Sequence, residues 1–461
     1  GNWFGDALWG TALDELVEKG PENVHYFFAS YEPNGEDRSQ RMQAMRTRVN
    51  QTLNRVVADP EERARWSARF HYITDPLQNL DGPLGGAFNS YMEFLFSDEG
   101  LVNLGDRGMM QPPLPFTFGI RRDQRLDAGG SLSPVVGQDS IWGMTAYFGH
   151  FYNHLANVQD HVAGQEATVI SLLDEDVTDR VFTREVMLPD AATMAGFDTM
   201  EFDLGITCPH RNPFGCSEWD RNARISLCRT PTCNKRWELV RWITPYWRRG
   251  ERRWIIDASP FLSLLEEGGA HSFYIEMGPS WEAATSRYAK MDLRLSQEGG
   301  PRSVRVKRAY TGGNFGAEYN AEHEPYEVMA PEEASRVELV VIVSGHGQTE
   351  GDNCAEWCDH RHQFTVNGTA LPEITSLQQI GTLRGCAERA DEGVSPGQWG
   401  NWAPSRAYWC PGLPVDAIRI DITEQMMLGA VNEVRYSASL AGAEPRGGNI
   451  DLSAYVVWYT D

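Results

Sequence analysis

Along the first 160 residues the apolar positions recur at helical spacing. Phe4, Leu8, Leu13 and Leu16 form a stripe that stops near Gly20, which predicts an amphipathic helix closed by a glycine. Val24 to Ala29 is a short apolar run suited to a buried strand. Met42, Met45, Val49, Leu53 and Val56 then step by three and four, predicting a second helix. Pro60 with Glu61 and Glu62 opens a third, because proline's missing N–H is not needed in a first turn and acids there meet the positive end of the helix dipole. Phe70 to Ile73 and Phe116 to Ile120 read as strands, FTFGIRRDQRLDAGGSL as a hairpin, and Trp142 to Val158 as a closing helix. Such alternation predicts an α/β layer domain over residues 1–164.

Beyond about residue 165 the texture becomes short β-rich runs punctuated by Gly, Pro, Asn and Asp. Thr168 to Leu172, Arg224 to Leu227, Trp237 to Ile243, Arg253 to Ile256, Phe273 to Ile275, Val337 to Val343 and Phe364 to Asn367 are examples. Many short strands with regular turn signals predict sandwiches or barrels. The stretch is too long for one sandwich and suits two, 165–299 and 300–461, with the polar QEGGPRS at Gln297 to Ser303 as the seam. The expected fold class is therefore mainly β, two antiparallel sandwiches preceded by an α/β domain. In element order that first domain resembles a thioredoxin-type fold, but it holds no cysteine, which excludes dithiol redox chemistry.

Charge and cysteines narrow the function classes. The formal net charge of −23 argues against nucleic-acid binding, which needs clustered Lys and Arg against the phosphate backbone. The basic run Arg248, Arg249, Arg252, Arg253 reads as a solvated hairpin tip, with an anion-binding edge as the alternative. No apolar run approaches a membrane span, so a soluble protein is expected. All 8 cysteines lie beyond residue 207, in the close pairs Cys208-Cys216, Cys228-Cys233, Cys354-Cys358 and Cys386-Cys410. An even count so paired predicts disulfides and an oxidising compartment, secreted or periplasmic. Nothing at the N-terminus has the pattern of a signal peptide, so a mature or trimmed form is expected. Zinc-ligand spacing is missing. His150 and His154, four apart in HFYNH, read as satisfied structural histidines.

Chemistry concentrates in a few stretches. SGHGQTEGDNCAEWC, Ser344 to Cys358, sets Glu356 and Trp357 inside a cysteine pair, a device for holding an acid beside an indole in a fixed pose. CSEWDR, Cys216 to Arg221, repeats the theme around Trp219 with Glu218 or Asp220. RWITPYW at Arg241 to Trp247 is dense in aromatics, and Glu276 ends the apolar run FYIE. The segment GCAERADEGVSPGQWGNWAPSRAYWCPG, Gly385 to Gly412, is long and irregular and closed by Cys386 and Cys410, a costly conformation unless it serves a function.

Taken in order, CSEWDR, RWITPYW, SGHG with CAEWC and QWGNWAPSRAYWCPG resemble the peptide-N-glycosidase F family of amidases, from about residue 170 onward. The resemblance implies two eight-stranded jelly rolls side by side with the active cleft at their interface, and no cofactor or metal. It implies that Asp220 is the principal catalytic acid, with Glu356, Glu276 and Arg406 beside it. Arg221, Trp357, Trp409, Trp281 and His346 become candidate substrate-binding residues. Hydrolysis of a carboxamide needs an activated water, a stabilised oxyanion and a proton for the departing amine, and two acids with different pKa values can divide that work. The expected reaction cuts between asparagine and the first N-acetylglucosamine of an N-glycoprotein, leaving aspartate, in a chain expected to be monomeric.

This sequence departs from the family pattern in Glu276-Met-Gly-Pro-Ser-Trp281, where the family has Glu-x-Trp, and at His346, where it has tryptophan. Two other readings stand beside the amidase. One is a copper-dependent hydroxylating monooxygenase of paired jelly-roll type, for which His360 and His362 would supply an HxH pair on one face. The other is a glycan-binding module without catalysis.

Overall fold

A computed structural model describes residues 6–30, 34–76, 86, 116–122, 126–131, 145–208, 217, 219–246, 250–279, 287–347, 354–376, 382–396, 398 and 402–460. The early elements follow the apolar periodicity closely: α1 (Asp6–Lys19), β1 (Tyr26–Ala29), α2 (Gly35–Val56), α3 (Pro60–Ser67) and β2 (Phe70–Ile73). Leu13, Leu16, Met42, Val49 and Leu53 are the buried positions of the two long stripes. Asn34 caps α2 by accepting from Glu36 N, and Asp59 caps α3 by accepting from Glu61 N, each satisfying a backbone donor that a helix start leaves free. Strands β1 and β2 pair in parallel, with α2 and α3 between them in the chain. The predicted hairpin is present as β3 (Phe116–Ile120) and β4 (Leu126–Ser131), which among the described residues form a separate two-stranded sheet. Helix α4 (Thr145–Gly164) continues past the expected end at Val158, and His150 Nε2 lies 2.6 Å from the Lys19 carbonyl, a structural contact as expected.

From residue 168 the chain is almost entirely antiparallel sheet. The first sandwich contains β5 (Thr168–Val177), β6 (Val181–Asp190), β7 (Thr199–Cys208), β8 (Asn222–Cys228), β9 (Arg236–Ile243), β10 (Gly250–Asp257), β11 (Gly268–Glu276) and β12 (Arg287–Ser296), with the single turn α5 (Ala191–Met194) after β6. Its sheets run β5-β12-β7-β10 and β6-β11-β8-β9. The second contains β13 (Arg302–Asn314), β14 (Tyr326–Met329), β15 (Arg336–His346), β16 (His360–Val366), the short β17 (Thr369–Ala370) and β18 (Ile374–Thr375), β19 (Ala417–Asp421), β20 (Val431–Leu440) and β21 (Asn449–Thr460). Its sheets run β13-β21-β15-β19 and β14-β20-β16-β17, with β18 also on β16. Both sandwiches share one winding, the double Greek key of a jelly roll. The link between them, after Ser296 and before Arg302, falls in the glycine-rich stretch.

Side-chain alternation shows how the sandwiches meet. In β8, Ala223, Ile225 and Leu227 are buried in the first core, which turns Asn222 and Arg224 to the opposite face. In β15, Val337, Leu339, Val341 and Val343 belong to the second core, yet Glu338, Val340, Ile342 and Ser344 on the other face are equally buried. β21 repeats this, with Ser453, Tyr455, Val457 and Tyr459 covered on its outer face. That face meets the first sandwich: Ser453 donates to Glu238, Tyr455 to the Glu238 carbonyl, and Arg241 to Ser344.

One expectation is corrected. The described half of the basic run is no solvated tip: Arg252 is fully buried, and Arg253 donates to Asp203 at 2.7 Å. Both lie within β10 rather than in a turn, and Asp203 on the neighbouring strand β7 compensates the Arg253 charge. Arg248 and Arg249 lie outside the described residues, as does the hairpin end they would occupy.

Cys228–Cys233 and Cys386–Cys410 are disulfides, and Cys358 is also disulfide-bonded. Cys216 and the side chains of Cys208 and Cys354 lie outside the described residues. No helix among the described residues is long and apolar enough to cross a membrane. The Cys386–Cys410 ring spans 24 positions, so closing it restricts the unfolded chain by about 3.5 kcal/mol. Replacing both cysteines by alanine is expected to lower the unfolding free energy by roughly that amount, measured by denaturant titration.

Candidate active site

Each half of the site is held by a local device. Asp220 lies in the lead-in to β8, and Thr244, just after β9, clamps that lead-in. The Thr244 hydroxyl accepts from Arg221 N at 2.9 Å and donates to the Trp219 carbonyl at 3.1 Å, while Thr244 N donates to the Arg221 carbonyl at 2.8 Å. Both peptide groups flanking Asp220 are thereby fixed by one residue.

The second half is built on β15. Glu356 sits in the single turn α6 (Cys354–Trp357), and Gly345 of SGHG makes room for it: a Cβ on Gly345 would stand 1.8 Å from the Ala355 carbonyl oxygen. Ala407 N donates to the Glu356 carbonyl at 2.9 Å. Arg406 and Trp409 bridge across a tight turn, in which Tyr408 adopts φ 68° and donates its hydroxyl to the His360 carbonyl at 2.6 Å. A left-handed non-glycine residue is costly, and this buried bond helps to hold it.

The halves meet at one guanidinium. Arg406 is 1 % exposed, with Nη2 donating to Asp220 Oδ2 at 3.1 Å and Nε 3.6 Å from Glu356 Oε1. Its guanidinium carbon stands 4.7 Å from the ring centre of Trp357 and 4.9 Å from that of Trp409, a cation–π arrangement on two indoles. Tyr246 is buried and hydrogen-bonds Arg406, which partly offsets the upward push of burial on its phenol. Burial also raises both carboxyls. For Asp220 the rise is opposed by Arg406 and Arg221. Glu356 is pushed up to about 7 by burial and then by the neighbouring Asp220, against the pull of Arg406. Two acids whose surroundings shift their proton affinities can act as base and acid in one reaction.

Known proteins resemble this chain in sequence and in fold. The family described as Peptide-N-glycosidase F, C terminal matches residues 314–457. The chain is 30 % identical over 252 residues to the peptide-N(4)-(N-acetyl-beta-D-glucosaminyl)asparagine amidase F of Elizabethkingia miricola, covering 52 % of this chain and 67 % of that one. The chain belongs to the peptide-N-glycosidase F family. A crystal structure of a peptide-N(4)-(N-acetyl-beta-D-glucosaminyl)asparagine amidase superposes with a TM-score of 0.51 at 23 % identity, over 64 % of this chain and 96 % of that one, and supports the paired jelly-roll fold.

Within this peptide-N-glycosidase F family chain, the candidate residues sort into more than one place. Glu276 does not join the Asp220 cluster. It stands opposite Arg224 in the β8–β11 register, 3.3 Å from that guanidinium, in a second charged group with Glu238, Arg241 and Asp451. Trp409 is corrected as a sugar platform: it is 2 % exposed, backs Arg406, and donates Nε1 to the Gly345 carbonyl at 2.7 Å. His346 stacks on Trp409 and contacts Ser344 Oγ at 2.7 Å; burial holds it down at about 3, so its ring is neutral. Trp357 keeps partial exposure, and Trp219, beside Asp220, is 52 % exposed. Glu218 and Trp281 lie outside the described residues.

His360 and His362 do share a face, but it is the interior of the second sandwich. They contact each other at 2.9 Å, and His362 contacts the Tyr436 hydroxyl at 2.7 Å. Among the described residues no group of three or more His, Cys, Asp or Glu side chains could hold a metal. The HxH pattern here belongs to a buried hydrogen-bond chain. Sequence reasoning passed over Thr244 and Tyr246, although RWITPYW contains both; its aromatics drew attention and its hydroxyls did not.

Thr244→Val keeps the shape but removes the clamp hydroxyl, so kcat is expected to fall by about 10–100-fold with the fold retained, checked by steady-state kinetics and circular dichroism. Glu356→Gln tests the strain at the site. Because the folded Glu356 holds its proton up to about 7 against an ordinary 4.5, wild-type stability declines as pH rises between those values and then levels off. The variant should therefore be more stable than wild type at pH 8, by up to about 3 kcal/mol. That advantage should vanish below pH 4.5, as read from melting curves across the range.

Proposed function

We propose that this chain is an amidase that hydrolyses the bond between asparagine and the first N-acetylglucosamine of N-linked glycans, converting asparagine to aspartate and releasing a glycosylamine. The observation that carries the reading is the Arg406 bridge between Asp220 and Glu356. A module that only binds sugar has no need of two elevated carboxyls on one buried guanidinium.

The division of labour follows from the surroundings. Asp220, in charge-assisted contact with Arg406, is the group at the scissile amide and takes a proton as water adds to the carbonyl carbon. Glu356, protonated up to about neutral pH, works through a shared water and returns a proton to the amine nitrogen as the C–N bond breaks. Arg406 orients both acids, and Arg221 adds positive charge near the carbonyl as negative charge develops there. Partly exposed Trp219 and Trp357 offer flat apolar faces to the sugar or to the peptide, and Glu276, with Arg224, offers hydrogen-bonding partners to hydroxyls farther along the glycan. No step requires a metal or cofactor. The disulfides suit a secreted or periplasmic, monomeric enzyme.

Incubating a denatured N-glycoprotein with wild type and with Asp220→Asn, followed by mass analysis, tests this reading. Free glycan and Asn converted to Asp are expected with wild type, and a loss of at least about 100-fold with the variant. Glycopeptide bound by both proteins with nothing released would leave a glycan-binding module instead.

A further inference from the structure

The charged group beyond the bridge converges on one residue that the chemistry above does not use. Asp451, at the start of β21 in the second sandwich, receives Asn222 Nδ2 at 3.0 Å, Arg224 Nη1 and Nη2 at 3.3 and 2.6 Å, and Arg241 Nη2 at 3.0 Å on its carboxylate, and Arg241 Nη1 at 2.8 Å on its carbonyl. All three donors come from β8 and β9 of the first sandwich. His346 also faces it, and the Arg241 and Arg224 guanidiniums hold the Asp451 carboxyl far below the usual carboxylate range despite burial.

What matters is where each connection leads. Asn222 is two residues from Asp220, so its bond fixes the strand that carries the first acid. On the other side Asp451 pairs with Ser344 across the β15–β21 ladder. Gly345, the next residue, seats the turn bearing Glu356 and accepts from Trp409, which backs Arg406. One short path thus runs from Asp220 through Asn222 and Asp451 to the seat of Glu356 and Arg406. Ser453 and Tyr455, farther along β21, cross the same interface but reach Glu238 instead.

Resting on the amidase reading above, we propose that Asp451 is a positioning residue that sets the spacing between Asp220 on one sandwich and the Glu356–Arg406 pair on the other. It touches neither substrate nor reacting atoms. Its carboxylate is a gauge: three side-chain bonds from β8 and one from β9 locate the start of β8 relative to β15, and the two acids inherit that separation.

The readout is the protonation of Glu356. The groups facing Glu356 are Asp220 from the first sandwich and Arg406 from its own, with Tyr246 beside them. When the sandwiches slip apart, Asp220 recedes and water enters, and both changes release the upward push on Glu356; Arg406 travels with it. In Asp451→Asn, kcat for glycan release is expected to fall by about 10–100-fold with KM within about twofold. The limb of the pH–rate profile expected near 7 for wild type should move down by at least about half a pH unit. Tyr455→Phe serves as the interface control, lowering the melting temperature while leaving that limb in place. Asn222→Ala, which removes a single bond, should reproduce the same displacement to a smaller extent and guards against misfolding of the first variant. A wild-type limb in both Asp451→Asn and Asn222→Ala, or the same displacement in Tyr455→Phe, overturns the proposal. Absence of glycan release by wild type itself would fail the amidase reading and is recognised before any variant is compared.

Discussion

A guanidinium shut away from water must have its charge answered, and Arg406 imposes that condition on everything around it. Two carboxylates from different sandwiches answer it along its edges, and two indoles cover its faces. Leaving such a cation with no carboxylate at all costs several kcal/mol; the arrangement holds Asp220 and Glu356 together although burial pushes both toward the protonated form, and Asp220 pushes Glu356 further. The elevated Glu356 is therefore a product of the same constraint that assembles the site. Stability is given up at this point, and the large cores of the two sandwiches supply it elsewhere.

Local features were legible in the sequence because they depend on neighbours along the chain. The stripes of α1 and α2, the strand at Phe70–Ile73, the hairpin at Phe116–Ser131, the apolar run of β15 and the glycine-rich link before Arg302 all follow from spacing and turn chemistry. The motif CAEWC likewise gave the turn with Glu356 held beside Trp357. Features that depend on register across strands were not legible. Glu276 was grouped with Asp220 by motif order, but the β8–β11 pairing places it against Arg224.

Direction is the other property a sequence withholds. An indole written in a string can face sugar, core or cation, and Trp409 faces the cation. Arg252 looked like part of a solvated tip because basic clusters usually are, and its strand position buries it instead. His360 and His362 had the right alternation for a metal face; the interior they point into decided otherwise. Thr244 escaped notice because a hydroxyl that clamps two backbone groups leaves no mark beyond being a threonine.

The strand order places Asp220 before the link at residues 297–301 and Glu356 with Arg406 after it, each within a jelly roll of the same winding. Under the proposed mechanism, neither barrel therefore carries more than half of the chemistry by itself. In evolutionary terms the two have to be inherited as a pair under that mechanism: recombination at the link would separate Asp220 from Glu356 and Arg406, and drift in the contact surface of one sandwich must be matched in the other. The polar, charge-dense interface is thus the part of the molecule with the least freedom to change, while the outward-facing sheets and loops remain available for new substrates.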